Sequence, residues 1–224
     1  MSIDRTIRVT GRGSISLKPD LTRLSIALRG TYKEYAETLE HSAEDTEALR
    51  DALEKIGFKR EALKTLSFNV DTRYEGYNDK NGNYRQRFVG YEFIHSFKLE
   101  FDSDNELLGK ALYALAHSPV TPEFSVSYTV KDTEAAKNLL IGKAVEDAIA
   151  KVQRLAEAAE VDLGWIVNID YSFADAVFEV RPMRMAVNQK AAYGGAEEDC
   201  CYDINVEPDD IRVTDTVTVV WEIN

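Results

Sequence analysis

The strongest constraint on the fold is a run of apolar side chains at every second position between residues 91 and 101. A period of two places alternate side chains on opposite faces of an extended strand, so that one face is buried and the other is open. Shorter stretches of the same alternation recur along the chain, which predicts a protein built largely on β-sheet. The residues in phase are Tyr91, Phe93, His95, Phe97, Leu99 and Phe101.

Helix signals separate the predicted strands. Thr31 with Glu34 and Ser103 with Glu106 have the spacing of capping boxes, and Asp132 is a suitable N-cap for a third, longer helix. The first helix is expected to bury Ala36, Leu39, Ala43, Leu49, Leu53 and Ile56, and to end at Gly57. The strands are expected near residues 6–11, 21–30, 66–71, 91–101, 124–130, 165–173 and 213–223.

The order of these elements predicts an α+β fold. Strands and helices do not alternate strictly, and the lone Gly11-Arg12-Gly13 lacks the third glycine and the helix of a nucleotide-binding loop. We interpret those two glycines as a bend between strands. The expected architecture is an antiparallel or mixed sheet of about seven strands, with three amphipathic helices packed on it.

Length and spacing leave the domain organisation partly open. A chain of 224 residues fits a single domain, 1–224, or two intimately packed halves, 1–101 and 102–224. The stretch 174–210 has no regular pattern and is longer than ordinary loops, so we expect either a functional arm or partial disorder.

Charge and composition narrow the functional classes. A formal net charge of −12 disfavours nucleic acid as a partner. No run of 18 apolar residues exists, so no membrane insertion is expected. The first five residues lack the segments of a signal peptide, which predicts a cytoplasmic location. The two cysteines, Cys200 and Cys201, are adjacent, which agrees with a reducing compartment.

No pattern of reactive residues predicts catalysis, a cofactor or a metal site. His41, His95 and His117 have no ligand spacing, and His95 is expected to be a packed, hydrogen-bonded residue of a strand face. Acidic neighbours of Cys200 and Cys201 disfavour their thiolates, which leaves an incidental pair, a vicinal disulfide or a soft-metal site. Asp215 is in phase with core residues and is expected to be paired, or to mark a bulge or an edge.

The most suggestive surface is a hairpin rich in tyrosine and arginine. Asn81-Gly82 indicates its turn, and the polar tip is longer than a two-residue loop. Tyrosine and arginine are enriched at protein interfaces, although an ordinary solvated hairpin would have the same composition. The run Pro182-Met183-Arg184-Met185 is a weaker candidate of the same kind. The candidate interface residues are Tyr74, Tyr77, Tyr84, Arg85 and Arg87.

An ordered set of short motifs resembles the SIMPL (DUF541) domain family over nearly the whole chain. The resemblance implies an α+β fold and a tendency to form ring-like or channel-like homo-oligomers, with links to stress tolerance or surface antigens in bacteria. It implies no catalytic residues. The motifs are Val9-Thr10-Gly11-Arg12-Gly13 with Lys18-Pro19-Asp20, Leu63-Lys64-Thr65, Gly90-Tyr91, the alanine-rich helix at 143–148, Gly164 with Val167 and Ile169, and residues 208–213 running into 216–219.

The sequence therefore leaves three candidate functions. The first is a non-enzymatic protein that acts by homo-oligomerisation or by binding a protein partner, with the hairpin at the contact. The second is a small-ligand-binding protein with a pocket between helices and sheet. The third, an enzyme of unrecognised type, requires Cys200 or Cys201 close to a histidine.

Overall fold

The computed structural model describes residues 5–171, 177–180 and 206–224. Within them the predicted α+β class is confirmed, with three α-helices and eight strands, and every pairing whose register is defined is antiparallel. The strands are β1 (Thr6–Leu17), β2 (Leu21–Tyr32), β3 (Lys64–Asn78), β4 (Tyr84–Asp102), β5 (Glu123–Thr129), β6 (Leu163–Asp170), β7 (Glu179–Val180) and β8 (Ile211–Ile223); the helices are α1 (Tyr35–Glu54), α2 (Asn105–Ala116) and α3 (Thr133–Ala159), with a 3₁₀ turn at Arg60–Ala62.

The chain divides into two compact units. In the described residues, the first unit comprises 5–20, 129–171, 177–180 and 208–224, and the second comprises 21–128 and 206–207. The single domain with halves 1–101 and 102–224 stays a prediction. Cys200, Cys201 and the run from Pro182 to Met185 lie outside the described residues, as does most of the stretch 174–210.

The first unit is a sheet in the order β1-β8-β6 with α3 on one face. β1 and β8 pair without interruption from Thr6 opposite Glu222 to Leu17 opposite Ile211. Asp132 caps α3 as predicted, because its carboxylate accepts a hydrogen bond from the backbone N–H of Ala135 at 2.8 Å. The buried stripe of α3 follows helical spacing and consists mainly of small residues: Ala136, Leu140, Ala144, Ala148, Val152 and Ala156.

The interpretation of Gly11 and Gly13 as a bend is wrong, since β1 continues straight through both. A Cβ at Gly11 would overlap the carbonyl oxygen of Ala144, and a Cβ at Gly13 would overlap that of Leu140. The glycines therefore let the backbone of α3 lie directly on the backbone of β1. Sequence pattern alone could not identify this packing, because the contact joins residues more than 120 positions apart.

The second unit has four strands in the order β3-β4-β2-β5, with α1 and α2 contributing to the same core. The alternation that predicted β4 is confirmed, since Phe93, Phe97 and Leu99 are fully buried. β2 pairs with β4 from Leu21 opposite Asp102 to Tyr32 opposite Tyr91. Thr31 is thus part of a strand, and the predicted capping box with Glu34 is wrong.

The buried face of α1 is more polar than predicted. Thr38, Ser42 and Thr46 are buried, whereas Ala36, Leu39 and Ala43 are exposed; Leu49 and Leu53 are buried as expected. Burial of the hydroxyls is tolerated because Thr38 donates to the Glu34 carbonyl at 2.8 Å and Thr46 donates to the Ser42 carbonyl at 2.7 Å. At the helix ends, Gly57 takes a φ of 100°, as predicted, but Asp104 rather than Ser103 caps α2.

His95 joins α1 to the sheet, as the packed histidine that the sequence predicted. Its Nδ1 lies 3.2 Å from Thr46 Oγ1, and its Nε2 lies 3.2 Å from Thr65 Oγ1. Because Thr46 already donates its proton to the Ser42 carbonyl, the neutral ring donates from Nδ1 and accepts at Nε2. Burial, and secondarily the charge of Arg50, lowers the pKa of His95.

Gly11→Ala is expected to destabilise the protein by about 1–3 kcal/mol, because the added methyl group forces α3 away from β1. The matched control is Gly142→Ala on α3 itself, where an added Cβ has nothing within 4 Å and should stabilise the helix by about 1 kcal/mol. Urea unfolding measures both changes. Equal midpoints for the two variants would contradict the close approach of α3 to β1.

The pKa of His95 predicts a loss of stability on acidification. Its folded-state pKa lies below the ordinary value of 6.5, so the unfolded chain binds the proton first and the free energy of unfolding falls as pH drops from above 6.5 to below it. His95→Gln should flatten this part of the dependence. The test is denaturant unfolding across this range, with an NMR titration of the His95 ring; titration of that ring above its ordinary value would contradict the packing described.

Candidate interaction site on the β3–β4 ribbon

The β3–β4 hairpin extends beyond the rest of its sheet. β3 and β4 pair from Lys64 opposite Lys98 to Asn78 opposite Tyr84, but β2 ends at Tyr32, opposite Tyr91. Residues 73–90, which we call the ribbon, therefore pair only with each other among the strands that the structure describes. Six or seven residues per strand project roughly 20 Å beyond the last residue of β2.

A polar turn closes the ribbon. The Asp79 carboxylate accepts hydrogen bonds from the backbone N–H groups of Asn81 and Asn83, each at 2.9 Å. The bond from Asn83 is the main cause that lowers the pKa of Asp79. Gly82 has a φ of 81°, which confirms the turn signal read from Asn81-Gly82. Local hydrogen bonds thus hold the turn.

All five predicted interface residues lie on the ribbon. Tyr74, Tyr77 and Tyr84 are exposed. The Arg85 guanidinium lies 3.4 Å from the Asp79 carboxylate, and Arg87 donates to Glu75 across the strands at 3.0 Å. The structure therefore brings these residues onto one projecting element, and their role as an interface stays a prediction.

The Tyr84 ring covers Gly76, which has no side chain, on the neighbouring strand. A Cβ at Gly76 would overlap the Tyr84 ring and hydroxyl, so the ring lies directly over the glycine. An aromatic ring over a strand glycine compensates for its missing side chain. Tyr84 is nevertheless among the most exposed aromatic residues described, which leaves the outer side of its ring free for contact.

Sequence reasoning missed an aromatic chain that runs from α1 to the ribbon. Tyr35 packs edge-on against Tyr91 at 5.4 Å between ring centroids, Tyr91 against Phe88 at 5.4 Å, and Phe88 against Tyr74 at 5.7 Å. A register shift between Arg73 and Tyr74 sets Tyr74 opposite Phe88. The alternation of β4 predicts neither this pairing nor the contact with Tyr35, because both depend on the bulge and on where α1 begins.

The chemistry of the ribbon suits recognition of a protein surface. Its arginines are held in place by carboxylates, including an ion pair of Arg73 with Glu92, and its aromatic rings remain half exposed. Tyrosine and arginine provide large contact areas with polar tips. The ribbon's own residues include no histidine or cysteine.

The other predicted candidates are separate from the ribbon. The His41 ring stacks on Tyr32 at 4.2 Å, and His117 lies at the end of α2 with its Nδ1 2.9 Å from the Tyr113 carbonyl oxygen. In the part of the chain that the structure describes, no three metal-binding side chains come together. The enzyme alternative requires Cys200 or Cys201 close to a histidine, and both cysteines lie outside the described residues.

Asp215 is paired, which is one of the alternatives that the sequence predicted for this core-facing carboxylate. Its carboxylate accepts hydrogen bonds from the Tyr171 hydroxyl at 2.8 Å and from the Thr216 N–H at 2.7 Å. Burial first, and then this carboxylate, raises the pKa of Tyr171. β8 has no bulge at Asp215, but β6 ends opposite Thr218, so Asp215 lies on a stretch of β8 beyond the end of β6.

Two shallow concavities are candidate pockets for the ligand-binding function. One of about 300 Å³ lies beside the start of α3, where Asp20 and Asp132 accept backbone hydrogen bonds from Lys131 and Ala135. The other, of about 410 Å³, lies on the second unit's sheet beside Ser25. Ligand binding at either one stays a prediction.

Two curated relatives show sequence similarity to this chain. The "26 kDa periplasmic immunogenic protein" of Brucella melitensis is 29% identical over 165 residues, and the protein of the same name from Brucella abortus is 28% identical over the same length. Each match covers 73% of this chain and 65% of the relative, so the chain matches less than two thirds of their length.

These relatives correct the predicted location. The expectation of a cytoplasmic protein is wrong, because both relatives are named as periplasmic proteins. Among the described residues, no helix combines the length and the apolar character needed to span a membrane.

The family assignment rests on a match along nearly the entire chain. The model of the SIMPL family, described as "Protein of unknown function (DUF541)", matches residues 7–221. That range includes all three helices and most of β1 and β8, in the order that the short sequence motifs suggested. The chain therefore belongs to the SIMPL family.

Proposed function

We propose that this SIMPL protein is a non-enzymatic periplasmic protein that acts by self-association through the ribbon. The observation that carries the proposal is that no third strand among the described residues pairs with the ribbon. A two-stranded hairpin is at best marginally stable in water, whereas contact with another surface would pair its edges and cover its rings. The names of the Brucella relatives support the periplasmic location. A role in stress tolerance is proposed on the family resemblance alone.

Charge favours a second copy as the partner. The ribbon carries four basic and two acidic side chains, in a chain whose formal net charge is −12. A basic projection and an acidic body are complementary, so the ribbon of one copy suits the body of the next. Such a head-to-tail contact uses two different surfaces and closes into a ring when the rotation between copies allows it.

The aromatic chain gives this contact an apolar centre. Phe88 and Tyr74 are half exposed at the base of the ribbon, and the ion pairs of Arg85 and Arg87 lie closer to its tip. Interfaces commonly combine an aromatic centre with a polar rim that fixes the register. Ion pairs at the rim are screened by salt, so assembly should weaken at high ionic strength.

Shortening the ribbon between Tyr77 and Tyr84 is expected to turn a multimer into a monomer. The measurement is light scattering after size-exclusion chromatography, with circular dichroism to establish that the shortened protein is folded. If the full chain is monomeric at every concentration tested, or if the folded, shortened chain keeps the full multimer mass, the proposal is wrong.

A pair of point variants separates the ribbon from general surface hydrophobicity. Phe88→Ser removes an exposed ring of the ribbon, and Phe124→Ser removes a similarly exposed ring from β5 of the same unit. We expect Phe88→Ser to weaken self-association about tenfold or more, as the loss of one interface aromatic residue commonly does, and Phe124→Ser to leave it unchanged. Equal effects of the two substitutions would count against a contact centred on the ribbon.

A further inference from the structure

β6 forms one edge of the first unit's sheet. It pairs antiparallel with β8 on one side, and no strand among the described residues pairs with it on the other. Its outer edge therefore presents backbone N–H and C=O groups that another strand can bind. This edge belongs to a different unit from the ribbon.

Four apolar side chains of β6 are unusually exposed. Trp165 is 85% exposed, and Ile166, Val167 and Ile169 are 49%, 55% and 53% exposed. Helix α3 covers β8 but leaves part of β6 open: Trp221 and Val219 are buried, whereas Ile166 and Ile169, directly opposite them on the same face, are not.

The register shifts of β6 leave side chains exposed. Register shifts occur between Leu163 and Ile166 and again between Ile166 and Asn168. The intervening residues include Trp165 and Val167, and a bulge turns such side chains away from the regular ladder. Edge strands are commonly protected by lysine or proline, and β6 contains neither.

Charge indicates what kind of strand suits this edge. Residues 160–170 contain Glu160, Asp162 and Asp170 but no lysine or arginine, and the Glu222 carboxylate lies beside Gly164. A second copy of β6 would bring the same carboxylates to the edge and be repelled. An apolar strand with basic ends would place its charges next to them.

We propose that the outer edge of β6 binds an extended apolar segment of another polypeptide, flanked by lysine or arginine, which adds a strand to the β1-β8-β6 sheet. Backbone hydrogen bonds would supply affinity, and the exposed Trp165, Val167 and Ile169 would contact alternate side chains of the segment. This site is independent of the ribbon, so its test does not depend on self-association.

The two tryptophans of the chain make this proposal directly measurable. Trp165 is exposed and Trp221 is 6% exposed, so a bound strand should shift the fluorescence of Trp165 to shorter wavelength. The probe is a capped peptide of alternating valine and threonine with lysines at both ends. We expect a saturable shift with the full protein and no shift with Trp165→Phe, which keeps Trp221.

Two comparisons separate strand addition from non-specific attraction. The same peptide with glutamates at its ends should bind about tenfold more weakly or worse. Val167→Lys should abolish binding of the lysine-flanked peptide, whereas Ser14→Lys, which adds the same charge to an exposed position of β1, should retain it. The variant with a shortened ribbon should bind as the full chain does.

Three results would overturn the proposal. One is no change in Trp165 fluorescence with the lysine-flanked peptide. The second is equal binding by the Val167→Lys and Ser14→Lys variants. The third is a shift that appears on raising the protein concentration without peptide and disappears in Val167→Lys, because a second copy would then occupy the edge.

Discussion

Coverage of the sheets by helices is the constraint on which this structure depends. Alternating side chains give each sheet an apolar face that must be covered, and in the described residues three helices cover only part of it. α3 achieves the closest contact, because Gly11 and Gly13 let its backbone lie on β1. Two segments that no helix covers, most of β6 and the outer part of the β3–β4 hairpin, retain exposed apolar and aromatic side chains.

The ribbon and β6 differ in their charge. The ribbon is locally basic within an acidic chain, which favours contact with another copy, whereas β6 is flanked by carboxylates, which favours a basic partner. Both surfaces leave strand edges open, so in each case backbone hydrogen bonding is available in addition to side-chain contact. We therefore propose one surface for assembly and the other for binding.

The sequence predicted several features that depend on local pattern, although it placed the cap of α2 at Ser103 instead of Asp104. The alternation of β4, the turn at Gly82, the left-handed Gly57 and the cap at Asp132 all follow from a few neighbouring residues. Features that depend on distant contacts were mispredicted or missed. The buried face of α1 uses Thr38, Ser42 and Thr46, which hydropathy does not distinguish from surface residues.

The features of the candidate site likewise divide into those that the sequence predicted and those that it missed. Composition located Tyr74, Tyr77, Tyr84, Arg85 and Arg87, but it could not indicate that β2 stops at Tyr32 and leaves them on a two-stranded ribbon. The exposure of β6 was missed because its alternation is identical to that of a half-buried strand. Only the position of α3, over β1 and β8, leaves it uncovered.

The central claim is that the ribbon is stabilised by contact with another copy of the chain. Hydrogen exchange of the backbone amides of residues 73–90, followed as a function of protein concentration, tests it most directly. The account predicts rapid exchange in dilute solution and slow exchange once copies associate, with the amides of β2 protected throughout. Exchange of the ribbon at one rate, fast or slow, over the whole concentration range would contradict it.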